Sequence, residues 1–432
     1  MASPTSAEVT IAAAAPLSGP DAAEGKALVQ SVEWAITDIN ARGGIAGERL
    51  ALVSEDDACD DRRAATAAAR LAERKPALVI GHPCSGPAQA AAKVYASAGL
   101  LFIATAPRHP DLTRRRAGPS VFRLAGRDDL QGAATASYLA AAYAGKRLAI
   151  VHDRTRYART LVEGFKRARQ PSDAPPVPEF GIVASSKDYA ATVAALRAHR
   201  AEVVYFAGFP SEAVALWRQF RATDLIPDLV GSDALANADA ELRALSDEAR
   251  VSTRVMRPFT AIDVEGAQPL AGRLAAAGMQ AYASAIAAYA AVEIWTGAAA
   301  RGADRDPMSV SKQLQGDPIA SPIGLVSFDA NGDADVPSFA VATVDGNRLM
   351  TEAIVLKRGV PVMAASVVDS GALPIAGTVI PPPADAPVVT SKSLAGIAAS
   401  AATNQGVPDP VIATRSPPLP VRHPLRRNRS RL

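Results

Sequence analysis

The chain has 432 residues, 46 basic and 43 acidic side chains, a net charge of +3, 49% hydrophobic residues and two cysteines. This length exceeds one typical domain and suits two with a tail, and alanine supplies much of the apolar content. The basic excess is concentrated at 422–432, so the near-neutral body offers no broad electrostatic footprint for nucleic acid.

No uninterrupted apolar run reaches the ~18–20 residues that span a bilayer. The opening "MASPTSAEVTIAAAAPLSGP" lacks a basic n-region, and its apolar stretch Val9–Ala15 is short. It does not read as a signal peptide; either the protein stays inside or its leader lies outside this chain.

The pattern alternates strand and helix, which predicts an α/β fold with largely parallel sheets. Strands are expected at Val9–Ala14, Leu50–Ser54, Ala77–Ile80, Leu101–Ala104, Arg147–His152, Glu179–Val183 and Val203–Phe206. Several are near-continuous apolar runs, as in strands covered on both faces. Between the first two, Leu28, Val32, Ile36 and Ile39 fall on one helical stripe that stops at Gly43-Gly44. Further helices are expected in "DDRRAATAAARLAERK" and at 155–169, 187–199, 211–222 and 278–301. The stretch 324–355 reads as strand, turn, strand, turn, strand, with Asn331-Gly332 and Asp345-Gly346 as hairpin signals. Beyond about 358 the chain turns Pro-rich and polar, as a mostly disordered extension would.

Four stretches stand out: "APLSGPDAAEG" (15–25), "INARGGIAGERLALVSEDDACDDRRAA" (39–65), "LVIGHPCSGPAQAAAKVYASAGLLFIATAP" (78–107) and "LAIVHDRTRYARTLVEGF" (148–165). Ligands of open parallel sheets sit outside the carboxyl ends of the strands. Turns fall there at Leu17–Gly19, Asp56–Cys59, His82–Gly86 and Thr105–Arg108, all expected on one edge. Pro87 suits the first turn of a helix. That helix start, with the Ser85 hydroxyl, suits a carboxylate; a serine there also serves as a plain cap.

Taken in order, these stretches resemble the type I periplasmic binding proteins that serve amino-acid ABC transporters, in particular the leucine/isoleucine/valine-binding branch. The similarity runs through about residues 8–357. It implies two Rossmann-like lobes joined by three hinge crossings, one of 7–126 with 257–329 and one of 127–256 with 330–357, followed by the extension 358–432. It also implies a monomeric periplasmic solute-binding protein rather than an enzyme, with no cofactor. Such a protein captures an amino-acid-like ligand in the cleft and delivers it to an ABC transporter permease. A ligand sensor of the same fold, regulating a partner protein, is the second reading.

Carried over position by position, the resemblance implies Ser85 and the main chain of Ala106 at the ligand carboxylate. It places Tyr157 as a cleft tyrosine of the second lobe and Asp233 at the ligand ammonium, one methylene shorter than the glutamate of the leucine binder. Four positions depart. Glu24 stands in place of an aromatic wall, Arg108 of a threonine, Phe209 of a tyrosine, and Pro83 of a leucine of the side-chain pocket. Glu24 and Arg108 therefore bring opposite charges near a pocket that is apolar in the relative. Either they pair with each other, or Arg108 takes a second carboxylate through its planar fork.

Cys59 and Cys84 follow the second and third strands on the same edge, and the resemblance implies that they are bridged. A catalytic Cys84 with His82 as base has no orienting group in view, and His109, His152 and His199 lie singly. Two cysteines and one histidine do not make a zinc spacing. "DANGDAD" (329–335) lacks the full calcium-loop pattern and reads as a β-turn. With no G-x-G-x-x-G after the first strand and no P-loop, nucleotide binding has no support.

Overall fold

The computed structural model describes residues 8–169, 176–186, 188–223, 225–237, 253–302, 304–345, 348–355 and 361–363. The first sheet is built from β1 (Glu8–Ala15), β2 (Arg49–Asp56), β3 (Leu78–Gly81), β4 (Phe102–Ala104) and β5 (Val121–Arg123). They lie in the order β2-β1-β3-β4-β5, every pair parallel. The crossovers are α1 (Ala22–Ala41), α2 (Asp61–Arg74), α3 (Ser85–Ser97) and the single turn α4 (Asp111–Arg114).

Why α2 forms where it does is legible locally. Asp60 caps it by accepting from the backbone N–H of Arg62 and Arg63 at 3.0 and 2.8 Å. It ends at Lys75, which is left-handed with φ 47° just before Pro76. Along β1 the alternation is complete. Ile11, Ala13 and Ala15 join one core, and Ala12 and Ala14 join the core under α2 and α3.

The second sheet begins after α5 (Gln131–Ala142). It holds β6 (Leu148–His152), β7 (Glu179–Gly181), β8 (Val203–Ala207), β9 (Asp228–Gly231) and β10 (Thr253–Pro258), with α6 (Arg156–Ala168), α7 (Ala190–Ala198) and α8 (Pro210–Arg221) between them. The chain then returns to the first lobe with α9 (Gln268–Ala276), α10 (Ala283–Arg301), α11 (Pro307–Leu314) and the small hairpin β11 (Ile319–Ser321) and β12 (Gly324–Val326). Last, β13 (Phe339–Asp345), β14 (Arg348–Val355) and β15 (Pro361–Met363) extend the second sheet, whose order is β15-β14-β13-β10-β9-β8-β6-β7. Its strands from β7 to β10 are parallel, and the last three are added antiparallel.

Alanine-rich α10 lies against α1 and supplies much of the first lobe's core, including Ala288, Ala291 and Trp295. It is the one described helix long and apolar enough to cross a membrane by length and composition, yet most of it is buried inside the lobe.

Three crossings join the lobes. The first leaves β5, the second leaves β10, and the third leads into β13. Because β5 and β10 both hand over at their carboxyl ends, the carboxyl edges of the two sheets both lead into the hinge. Arg123, 0% exposed, fixes the first crossing to the third. It donates from Nε to Asp333 Oδ1 at 3.0 Å and from Nη2 to the same oxygen at 2.5 Å, while Nη1 donates to the His109 carbonyl at 2.7 Å. Backbone bonds from Arg123 N to Gly332 O and from Ala334 N to Arg123 O, both 2.9 Å, run beside this pair. The second and third crossings meet through Phe259 N and Ser338 O at 3.1 Å.

The observed elements differ from the expected ones in several places, and helices α4, α9 and α11 and strands β11 and β15 have no counterpart among the expected elements. Strands β5, β9 and β10 and helix α5 carry no strong sequence signal. Two of these strands are only three or four residues long, and β10 carries Arg254 and Arg257, which find partners in Glu352 and Asp263. The helix expected from 278 starts at Ala283, because Gly278 at φ 73° closes α9 instead. The Asn331-Gly332 turn forms, with Gly332 at φ 84° and an antiparallel bridge between Phe328 and Ala334 across it, and the chain then runs into the third crossing. The Asp345-Gly346 turn lies partly outside the described residues, although Asp345 and Arg348 are paired across it. Of the extension 358–432, only Pro361–Met363 is described, and it is a strand.

Candidate functional site

The turns after β1 to β4 gather on one edge, as the strand order requires. Asp56, at the end of β2, ties two of them together. Its Oδ1 accepts from Leu17 N at 2.8 Å and Ala58 N at 2.9 Å, and its Oδ2 accepts from Ser18 Oγ and Arg63 Nη2, both at 2.6 Å. Burial alone would raise its pKa. These donors outweigh it and hold the carboxyl at about 2.

Cys59 and Cys84 form a disulfide with a Cα–Cα separation of 5.7 Å. It staples the turn after β2 to the turn after β3. His82 is therefore not a base beside a free thiol. It is wholly buried, with Nδ1 at 2.7 Å from Asp57 Oδ2 and Nε2 at 2.9 Å from Tyr95 Oη. Asp57 also accepts from Cys59 N at 2.8 Å, so this polar core supports the stapled turn from beneath.

Ser85 is the first residue of α3, with Cys84 in the cap position. Its hydroxyl makes no hydrogen bond among the described residues and does not cap the helix. A free hydroxyl at the start of a thirteen-residue helix can receive an anion together with the first N–H groups.

Ala106 and Arg108 line a partly enclosed cavity of about 70 Å³ at the hinge. Its other walls are mostly apolar and include Leu124, Phe259, Ala283 and Val336. Two polar atoms in this wall are buried without partners: Thr105 Oγ1, on a residue 2% exposed, and Arg108 Nη1. The remaining nitrogens of Arg108 are committed to the hinge. Nε donates to Asp128 at 2.7 Å, Nη2 donates to the Ser338 carbonyl at 3.2 Å, and the guanidinium stacks 5.1 Å from the centre of the Phe339 ring.

In the second lobe, Tyr157, Phe209 and Asp233 come together. The Tyr157 hydroxyl donates to Asp233 Oδ1 and accepts from Ala234 N at 3.4 Å. Its ring lies 5.6 Å from that of Phe209, which is 44% exposed. Burial, then the neighbouring Asp233 charge, pushes the Tyr157 pKa well above the usual phenol value. Tyr157 therefore stays protonated as a donor and leaves Asp233 an acceptor-only group, suited to an ammonium.

One expected relationship does not occur. Glu24 and Arg108 do not pair. Glu24 sits in the first turn of α1 and accepts from Ser284 Oγ at 2.5 Å, while Arg108 turns toward Asp128 and Ser338. Arg108 offers a ligand at most its unpartnered Nη1, so its full fork is not available for a second carboxylate. Pro83 lies part-buried in the stapled turn. Sequence reasoning misses Thr105, Asp128 and Ser284; the last two meet partners 20 and 260 residues away.

Similarity to known proteins agrees with this architecture. A family described as "Periplasmic binding protein" matches residues 8–348. A Leu/Ile/Val-binding protein of Citrobacter freundii is 31% identical over 347 residues, covering 80% of this chain and 93% of the relative. The Leu/Ile/Val-binding protein of Escherichia coli (strain K12) is 30% identical over 347 residues, again 80% and 93%. A solved ABC transporter substrate-binding protein from Desulfitobacterium hafniense, in complex with Leu, superposes with a TM-score of 0.59 at 22% identity over 80% of this chain and all of the other. With two α/β lobes, three crossings and a match along most of its length, the chain belongs to the periplasmic binding protein family.

Proposed function

We propose that this protein is the solute-binding component of an ABC transporter. It takes up an amino-acid-like ligand, a branched-chain amino acid or a relative, between lobes of about 7–126 with 257–329 and 127–256 with 330–357. It works in the periplasm, as a monomer and without chemistry on the ligand, and hands the solute to a permease. Relatives at 30–31% identity that bear the names of leucine, isoleucine and valine binders support this reading.

The observation that carries it is the division of labour between the two sheet edges. On the first, the free Ser85 hydroxyl at a helix start and the Ala106 backbone suit a carboxylate. On the second, Asp233, held by Tyr157, suits an ammonium. Arg108, Phe209 and Glu24 border the same cleft and set its selectivity. Closure around the solute excludes water from both charged contacts.

Mass spectrometry of small molecules released from the purified, acid-treated protein tests the reading. An α-amino acid at near-stoichiometric yield supports it. Failure of every α-amino acid to bind in calorimetric titration of the stripped protein overturns it.

A further inference from the structure

The carboxylate of Glu24 has an unusual setting. It projects from the first turn of α1 and is half-buried. Oε1 is taken by Ser284, a residue 1% exposed at the start of α10. A serine hydroxyl has one hydrogen to give, and this one gives it to Glu24, so Ser284 orients the carboxylate without neutralising it. No lysine or arginine pairs with Glu24 among the described residues. The cation that could have done so, Arg108, is bonded to Asp128 and Ser338 instead. A part-exposed carboxylate with no counter-charge among the described residues can receive one from a ligand.

Ser284 adjoins Ala283, and Ala283 lines the same hinge cavity as Ala106 and Arg108. The cavity's buried unpartnered groups, Thr105 Oγ1 and Arg108 Nη1, mark it as space that receives a polar molecule. Its walls are otherwise mostly apolar, and Ala261, Ala283 and Ala287 form the side nearest Ser284.

We infer that the ligand carries a cationic side chain, a second ammonium or a guanidinium, and that Glu24, steadied by Ser284, is the specificity-determining residue that receives it. This rests on the amino-acid reading above, with the ligand carboxylate at Ser85 and Ala106. The apolar stem of a lysine-like or ornithine-like chain crosses the alanine-lined wall, and its charged end meets Glu24 across from the carboxylate end. A branched apolar side chain in the same place would leave Glu24 desolvated and unpaired, which is how the site discriminates against it.

The test is calorimetric titration of the full chain with L-lysine, L-ornithine, L-arginine and L-leucine. At least one cationic amino acid is expected to bind at least about tenfold more tightly than leucine. In Glu24→Gln, affinity for that amino acid is expected to fall by at least about 30-fold, while leucine changes by less than about threefold. Ser284→Ala, which frees the carboxylate to reorient, is expected to reduce the cationic ligand's affinity by about three- to tenfold. The ranking on the wild-type protein decides even if Glu24→Gln folds poorly. Leucine binding as tightly as the cationic amino acids, or a Glu24→Gln effect equal for both, overturns the inference and leaves the amino-acid reading intact. Binding of no amino acid of either kind overturns that reading and this inference with it.

Discussion

Arg108 and Asp128 hold each other twice. The Arg108 guanidinium donates to Asp128 Oδ1 at 2.7 Å, and Asp128 N donates back to the Arg108 carbonyl at 3.1 Å. One residue belongs to the turn after β4 and the other to the chain's first passage into the second lobe, so a cavity-lining side chain doubles as a hinge strap. Asp128 is more than half exposed, and screening keeps such a pair weak. Arg108→Met, which preserves packing on Phe339, is therefore expected to lower the melting temperature by no more than about 2–4 °C. A larger loss by scanning calorimetry would show the strap to be a main element of stability.

The disulfide closes a loop of about 26 residues, which is worth roughly 3–4 kcal/mol on the chain-entropy model. Unreduced protein should show no titratable thiol, and reduction should lower urea stability by about that amount. Two reactive thiols in the folded, unreduced protein would rule out the staple.

Tyr157 positions Asp233. Tyr157→Phe keeps the ring against Phe209 but removes the donor. On the proposed function, ligand affinity should drop about tenfold, the value of one hydrogen bond to a charged group, with little change in melting temperature. Equal affinity in the variant and the wild type would place the ligand elsewhere.

The pH profile of stability should fall at both ends. Asp56 is held at about 2 in the folded protein against 3.8 as the ordinary value. A depressed carboxyl contributes stability that is present above about pH 4 and is lost as pH falls toward 2. Tyr95, Tyr138, Tyr143 and Tyr157 have pKa values raised chiefly by burial. Groups raised in this way contribute stability that is complete below about pH 10 and declines above it. Melting temperature across pH 2–11 checks both limbs. A tyrosine absorbance titration should show these four resisting ionisation until the protein unfolds.

Asp333 neutralises two arginines, the buried Arg123 and the half-buried Arg127. Asp333→Asn leaves Arg123 buried with too little counter-charge, and a loss of about 3–5 kcal/mol is expected in urea unfolding. Replacing both members, Arg123→Met with Asp333→Leu, should recover part of that loss. If the single variant loses less than about 1 kcal/mol, the pair is not what secures the crossings.

Much of this fold is legible in the sequence because it is local. Parallel strands buried on both faces read as apolar runs, and the Asp60 cap and the Lys75-Pro76 stop are sequence marks at the two ends of α2. The edge carrying Ser85, Ala106 and the two cysteines comes from turns after strands. Features that depend on distant partners stay hidden. Charges cancel in three dimensions, and the sequence shows Glu24 and Arg108 only as opposite signs. Their actual partners, Ser284 and Asp128, are 260 and 20 residues off. In sequence Asp333 is one acid in a β-turn, because its importance comes from an arginine 210 residues earlier. β5 escapes a reading by pattern, since three residues are too few to display a period.

The Arg123–Asp333 pair has one more consequence. It pins the first and third crossings on the first-lobe side, so turning has to be taken up beyond it, near 124–128, 258–260 and 334–338. Lobes joined this way are expected to turn about an axis close to these three segments. On that expectation the cavity beside Ala106 and Arg108, at the crossings, should move less than Phe209 and Tyr157 in the second lobe. Interlobe orientations measured by residual dipolar couplings should then share a rotation axis passing close to Arg123.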